Sequence, residues 1–316
     1  MTLYLLVYLA LAIFGVAAGA RVYKQLTMPA HLRWELYPVK TEPGEKAQYG
    51  GSYLEETDWW KKKRHHSLWN EVTYMAPEII LLRGLWEENR RLWWVSFPFH
   101  FGLYILIATV GLLVLGALGM AFGGTIGPEA GFFGMLIYYF TIIFAFIGLT
   151  LGTIGSIGLF IRRVTDPTLK PFNTFPEYFN LIGFIAFFVV ALAAWLLFDH
   201  NLVGARMFTY GLITVGGGKL LAGFTPVAGI LGSLTIVLAA FLTAYIPLTH
   251  MSHMFMKYFM YHSIRWEDEP NLRGSKLEAR ILSQLGFKPT WAAAHLGADG
   301  NKTWADVATS APEVKK

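Results

Sequence analysis

The sequence predicts an all-α membrane protein with five transmembrane helices, the N-terminus outside and the C-terminus cytoplasmic. Three observations carry that expectation. Of 316 residues, 54% are hydrophobic and only 15% are charged, more apolar surface than a soluble domain of this size can usually hide. Five apolar runs, 2–20, 96–122, 131–161, 178–198 and 226–249, reach the length of about 20 residues that crosses a bilayer. Lysine and arginine fall on alternate connections: 12 in 21–95, 3 in 162–177 and 9 after residue 249, against only Arg206 and Lys219 in the other two. Cytoplasmic segments of membrane proteins are enriched in these residues, so the first three segments are expected inside, and five spans satisfy every connection.

The first run lacks a basic region before it, and its first positive charge, Arg21, follows it. It therefore reads as an uncleaved anchor, although "GVAAGA" before Arg21 has some likeness to a cleavage site. The connection 21–95 ends in "YMAPEIILLRGLWEENRRLWW" (74–94), where Pro77 suits a helix start and an apolar stripe follows. An interfacial helix along the inner membrane surface is expected there. Trp93 and Trp94 then mark the inner edge of the second span, and Trp195 the outer end of the fourth. The segment 202–225 is apolar enough for a sixth span, but Arg206, Lys219 and the glycines at 216–218 argue for a structured outer loop. Residues 96–249 thus form the main helical domain and 250–316 a cytoplasmic tail. In the tail, "SKLEARILSQLGF" (275–287) sets Leu277, Ile281, Leu282 and Leu285 at helical spacing, and "ATSAPEVKK" (308–316) reads as disordered.

The chain has no cysteine. That excludes disulfides, cysteine-ligated iron–sulfur clusters, covalent CxxCH haem and a thiolate nucleophile. The nine histidines are His31, His65, His66, His100, His200, His250, His253, His262 and His295. On the expected topology only His200 is outside. His100 enters the second span from the cytoplasm, and His250 and His253 leave the fifth, so they share a depth on antiparallel helices. A b-type haem needs such an arrangement, two neutral imidazoles on opposite faces of an iron in an apolar slot. Arg91, Arg162 and Arg163 are the candidates to pair with its propionates. His250 and His253 lie about 60° apart around a helix, and one iron takes only one of them opposite His100. A histidine at a span end is often only an interfacial side chain, whereas matched depth inside the membrane favours a functional reading. His31, His65, His66 and His295 read as solvated loop residues, and His262 points elsewhere.

"FPFHFGLYIL" (97–106), "IRRVTDP" (161–167) and "IPLTHMSHMFMKYF" (246–259) resemble the membrane cytochrome b subunit of respiratory nitrate reductases. "YGGSYLEETDWW" (49–60) and "YHSIRWEDEPN" (261–271) are more similar to its relatives in sulfate reducers. There the counterpart is the cytochrome b subunit of the sulfite-reductase-associated DsrMKJOP complex, a menaquinol-oxidising heterodisulfide-reductase-like enzyme. The resemblance covers residues 1 to about 272. It implies a haem-binding helical bundle that passes electrons between menaquinone and a cytoplasmic iron–sulfur subunit. That subunit would sit in an inner-membrane respiratory complex with further membrane and outer-side subunits and no nucleic-acid partner. Matching "PFH" makes His100 one axial ligand. Matching from Pro247 makes His253 the other, with His250 an alternative or second-haem ligand.

The resemblance breaks at the outer haem of nitrate reductases, whose ligand positions are here Val110 and Thr235. An outer haem is then either absent or held differently. The alternatives are His200 with Met207 or Met120, or a second inner-side haem on His250 with His31, His65 or His66. At least one haem b is expected, together with menaquinone. His200 and Lys219 are candidates for the quinone site, with Glu129 as a further proton acceptor. Two rivals stand beside this reading: a haem-free quinone-binding anchor, and a transporter, which predicts broken spans in pseudo-symmetric halves and charges at mid-membrane.

Overall fold

Five helices are long and apolar enough to cross a membrane, which makes the chain a multi-pass membrane protein. They are α1 (Thr2–Thr27), α4 (Arg90–Ala121), α5 (Phe132–Thr165), α6 (Phe175–Leu197) and α8 (Gly229–Tyr245), the last prolonged by a 3-10 turn at Ile246–Leu248. Shorter helices occupy the connections: α2 (Leu68–Ile80) and α3 (Arg83–Glu88) before α4, and α7 (Val203–Ile213) between α6 and α8. After the last span come α9 (His253–Met260), α10 (Lys276–Leu285) and α11 (Trp304–Thr309). The computed structural model describes residues 2–27, 57–58, 61–62, 68–215, 229–260, 272–289, 292–293 and 297–310. Lys219, His31, His65, His66, His262, His295, the glycines at 216–218 and the stretch 261–271 lie outside the described residues.

The chain divides into two units, Met1–Ala17 with Met75–Thr249 and Ala18–Tyr74 with His250–Lys316. In the first unit the tightest contact is the antiparallel hairpin of α4 and α5. Glycine makes it possible. A Cβ on Gly155 would stand 2.3 Å from the Phe99 amide nitrogen, and one on Gly102 only 2.5 Å from that of Gly152. Small residues four apart on a membrane helix let backbones approach this closely, and close packing is what drives association in lipid. Phe99 and Phe188 fill the space beside the crossing, with Phe99 edge-on to Phe184 at 5.0 Å.

Helix α6 begins at Phe175, with Pro176 in its first turn and a capping box in which Thr174 and Glu177 satisfy each other's exposed backbone amides. It joins α8 through the Tyr245 hydroxyl, which donates to Asn180 Oδ1 at 2.8 Å. Helix α7 has 11 residues, too few to cross a bilayer, as expected for a structured connection. It packs on α4 and receives α1, where Tyr4 stacks on Phe208 at 4.6 Å and the Tyr8 hydroxyl donates to the Leu212 carbonyl.

Three expectations need correction. Pro77 does not start a helix but lies within α2, three residues before its end. Proline in a late turn still removes one backbone bond, and the helix stops soon after. The end of α2 and α3 are instead fastened to α4: Tyr104 hydroxyl donates to the Ile79 carbonyl at 3.0 Å and Trp93 Nε1 to the Leu81 carbonyl at 2.8 Å. Second, α4 starts at Arg90 rather than at residue 96, because Asn89 caps it by accepting from the Leu92 amide. Third, α11 includes Ala308 and Thr309, which the sequence assigns to a disordered end.

In the second unit α10 forms where the spacing predicts it, capped by Ser275, with Leu277 buried. A two-residue antiparallel pair, Ala292–Ala293 with Ala298–Asp299, follows. The Trp304 amide donates to the Phe287 carbonyl at 2.9 Å, tying α11 to the end of α10.

Candidate functional site

His100 lies on α4, one residue past Phe99 and half-buried. Its Nδ1 is 2.8 Å from the Ser96 carbonyl, one turn earlier, and 3.3 Å from the Ser96 hydroxyl. A carbonyl can only accept, so Nδ1 carries the proton and Nε2 the lone pair. Metal-ligating histidines are commonly oriented in this way, by a bond from the other ring nitrogen. The Phe99 ring stands nearly perpendicular to it, with the ring centres 5.2 Å apart. As one axial ligand, His100 has the right donor chemistry for haem.

The proposed partners of His100 belong to the other unit. His250 is in the 3-10 turn His250–Ser252, and His253 opens α9; both are exposed. Of the three arginines, Arg91 lies nine residues before His100, two and a half turns, and so leaves the opposite side of α4. Arg163 Nη1 donates to Asn173 Oδ1 at 2.6 Å, and Arg162 Nε lies 3.8 Å from Asp166 Oδ2. Asp166 also accepts from the Thr168 hydroxyl and amide. Those bonds first, and Arg162 after them, hold its carboxyl below the usual carboxylate range.

Between His100 and the α4–α5 turn, α4, α5, α6, α7 and α8 line a half-open cavity of about 280 Å³. Val110 and Thr235 both line it. Neither can ligate iron, and the Thr235 hydroxyl donates to its own helix at the Leu231 carbonyl, 2.9 Å away. Among the described residues no histidine lines the cavity. An outer haem held from these two positions does not fit.

Two polar groups at this end have no match in the sequence reading. The indole Nε1 of Trp195, whose ring lines the cavity, is buried and finds no hydrogen-bond partner among the described residues. Arg206 on α7, which the sequence presents as a loop charge, is only 5% exposed. Its Cζ sits 5.0 Å over the Tyr138 ring and its Nη1 donates to the Asn201 carbonyl at 3.4 Å, while Nη2 has no partner among the described residues. Burial draws its pKa down, opposed by Tyr138 and Asp199. His200 is exposed in the turn between α6 and α7, its ring 6.0 Å from that of Trp195. Met120 and Met207 are half-buried, and Glu129 is exposed in the turn before α5.

No family model, no curated protein and no solved structure matches the chain.

Proposed function

We propose that the chain is a b-type cytochrome subunit of the inner membrane, carrying electrons between menaquinol and a cytoplasmic iron–sulfur subunit in anaerobic sulfate or sulfite respiration. The observation that carries this reading is the orientation of His100 on a membrane-length helix, its Nδ1–H held by the Ser96 carbonyl at 2.8 Å. Haem, when bound, would supply one-electron carriage, which the side chains of this chain cannot. His100 would hold it from one face and His253 from the other, with His250 as the alternative.

The Ser96 carbonyl keeps the His100 ring in one tautomer and one orientation, and a hydrogen-bonded imidazole is a more basic ligand. The Phe99 ring stands edge-on beside it and is backed in turn by Phe184 and Phe188, an apolar surrounding that suits a haem. Arg162 and Arg163 would exchange Asp166 and Asn173 for a propionate. Lacking cysteine, the chain would hand electrons to clusters on another polypeptide, docked on its cytoplasmic segments.

The test is haem per polypeptide by pyridine haemochrome on the purified chain, on His100→Ala and on His253→Ala. One haem in the parent, lost in both variants, is the expected result. No haem in the parent refutes the cytochrome and favours the quinone-binding anchor.

A further inference from the structure

The register of the α4–α5 hairpin gathers four arginines at one level. Val95 stands against Gly158 and Phe99 against Gly155. One further turn along this antiparallel pair brings Arg90 and Arg91 of α4 level with Arg162 and Arg163 of α5. The four differ in what holds them. Arg162 lies 3.8 Å from Asp166, and Arg163 donates to Asn173. Arg90 and Arg91 are exposed, and neither has a carboxylate within 4 Å among the described residues. On α3, Glu87 is taken by Arg83 at 2.7 Å.

Two observations set Arg90 and Arg91 at the edge of a bilayer. From Leu92 to Ala121 the helix carries no lysine, arginine or carboxylate. At about 48 Å for its 32 residues it is longer than the roughly 30 Å hydrocarbon core, so the charged end leaves that core for the phosphate layer. The second observation is Trp94, four residues after Arg90 and three after Arg91, on the same side of α4 as both and 65% exposed. Ile80, Leu81 and Trp86 nearby in the chain are exposed too. Tryptophan is at home where acyl chains meet head groups.

The chemistry then selects the ligand. Arg90 Cζ sits 4.5 Å over the Trp86 ring, and a guanidinium stacked on an aromatic face keeps its N–H edge for oxygen acceptors. Arginine binds phosphate through two N–H groups at once. An acidic protein surface could also pair with the arginines, but Trp94 beside them belongs to the apolar edge, which a water-soluble chain does not reach.

We infer that Arg90, Arg91 and Trp94 form a binding site for the head group of an anionic phospholipid. Its phosphate lies on the two guanidinium groups, and the junction of glycerol and acyl chains lies against the Trp94 indole. A zwitterionic lipid is disfavoured because its head group brings a second cation beside the two arginines. The site is on the side of α4 away from His100, and it depends on neither haem nor quinone.

The experiment uses the full-length chain, stripped of lipid in detergent and titrated with phosphatidylglycerol or with phosphatidylcholine of the same acyl chains. Native mass spectrometry reads the dissociation constant of the first lipid bound. The variants are Arg90→Gln, Arg91→Gln and the two together, with far-UV spectra recorded to verify folding. Lys170→Gln, which removes an exposed charge from the α5–α6 connection, is the control. Phosphatidylglycerol should bind the parent more tightly than phosphatidylcholine. Each arginine removed should weaken phosphatidylglycerol roughly 5-fold, as expected for a cation at the head-group layer. The double variant should bind both lipids alike, and Lys170→Gln should bind as the parent does.

Equal affinity for the two lipids in the parent overturns the inference and leaves the arginines to an acidic protein partner. A preference that survives in the folded double variant overturns it by placing the lipid elsewhere. Equal weakening by Lys170→Gln also overturns it, since the effect would then be that of net charge and not of a site.

Discussion

Gly155→Ala tests whether the α4–α5 hairpin is held at the distance described. The added Cβ would stand 2.3 Å from the Phe99 amide nitrogen and 2.6 Å from its Cα, about 1 Å inside ordinary contact, against backbone that cannot swing aside. The helices must part locally, and overpacking of this kind costs about 1–3 kcal/mol. Gly111→Ala on the partner helix α4 is the control, because no described residue lies within 4 Å of its Cβ position. Replacing glycine by alanine in a helix is otherwise favourable by up to about 1 kcal/mol, so Gly111→Ala should be neutral or stabilising. The two variants should therefore differ by about 1–4 kcal/mol in the same direction. Gly148→Ala should fall between them, since its neighbours, Leu106 Cγ at 2.9 Å and the Gly102 carbonyl oxygen at 3.1 Å, stand farther off than the Phe99 backbone does from Gly155. Reversible unfolding in mixed micelles, titrated with a denaturing detergent and followed by circular dichroism, reads the difference. Equal midpoints for Gly155→Ala and Gly111→Ala would refute the close crossing.

Two further predictions come from hydrogen bonds. Tyr245→Phe leaves Asn180 Oδ1 without its donor between α6 and α8 and should cost about 0.5–2 kcal/mol in the same unfolding assay, with the further change Asn180→Leu recovering part of the loss. In α11, the Thr303 hydroxyl and amide bond the Asp306 carboxylate and hold its pKa below the ordinary 3.8. Because the folded value is depressed, the stabilisation is fully present above the ordinary value and lost as pH falls through the lower one. The indole NMR signal of Trp304 should therefore keep its folded position until the pH passes below that ordinary value, and Asp306→Asn should remove the acid transition.

The spans were legible because bilayer thickness dictates them: an uninterrupted apolar run of about 20 residues has few other uses. Their ends were less so, since a helix continues wherever a cap allows. Asn89 starts α4 six residues before the apolar run, and polar Arg90 and Arg91 carry no signal of it. The preference of proline for a first turn is statistical, and at Pro77 the packing of α2 and α3 onto α4 overrides it. His100 stood out through its depth. Its bond to Ser96 did not, because the acceptor is a backbone carbonyl that any residue supplies. The burial of Arg206 and of the Trp195 N–H depends on helices from distant parts of the chain meeting, which no local pattern encodes.

Helix α1 stands apart in one respect. Only 6% of its most apolar window is buried within the chain, against 17–33% for the other four spans. In the first unit it is tied by the Tyr4 ring on Phe208 and by the Tyr8 hydroxyl on the Leu212 carbonyl. In evolutionary terms, most of its surface answers to lipid, which accepts any apolar side chain of reasonable size. As far as this chain's own packing sets the pace, α1 should accumulate neutral apolar exchanges faster than any other span, with Tyr4 and Tyr8 as the fixed points in a drifting sequence.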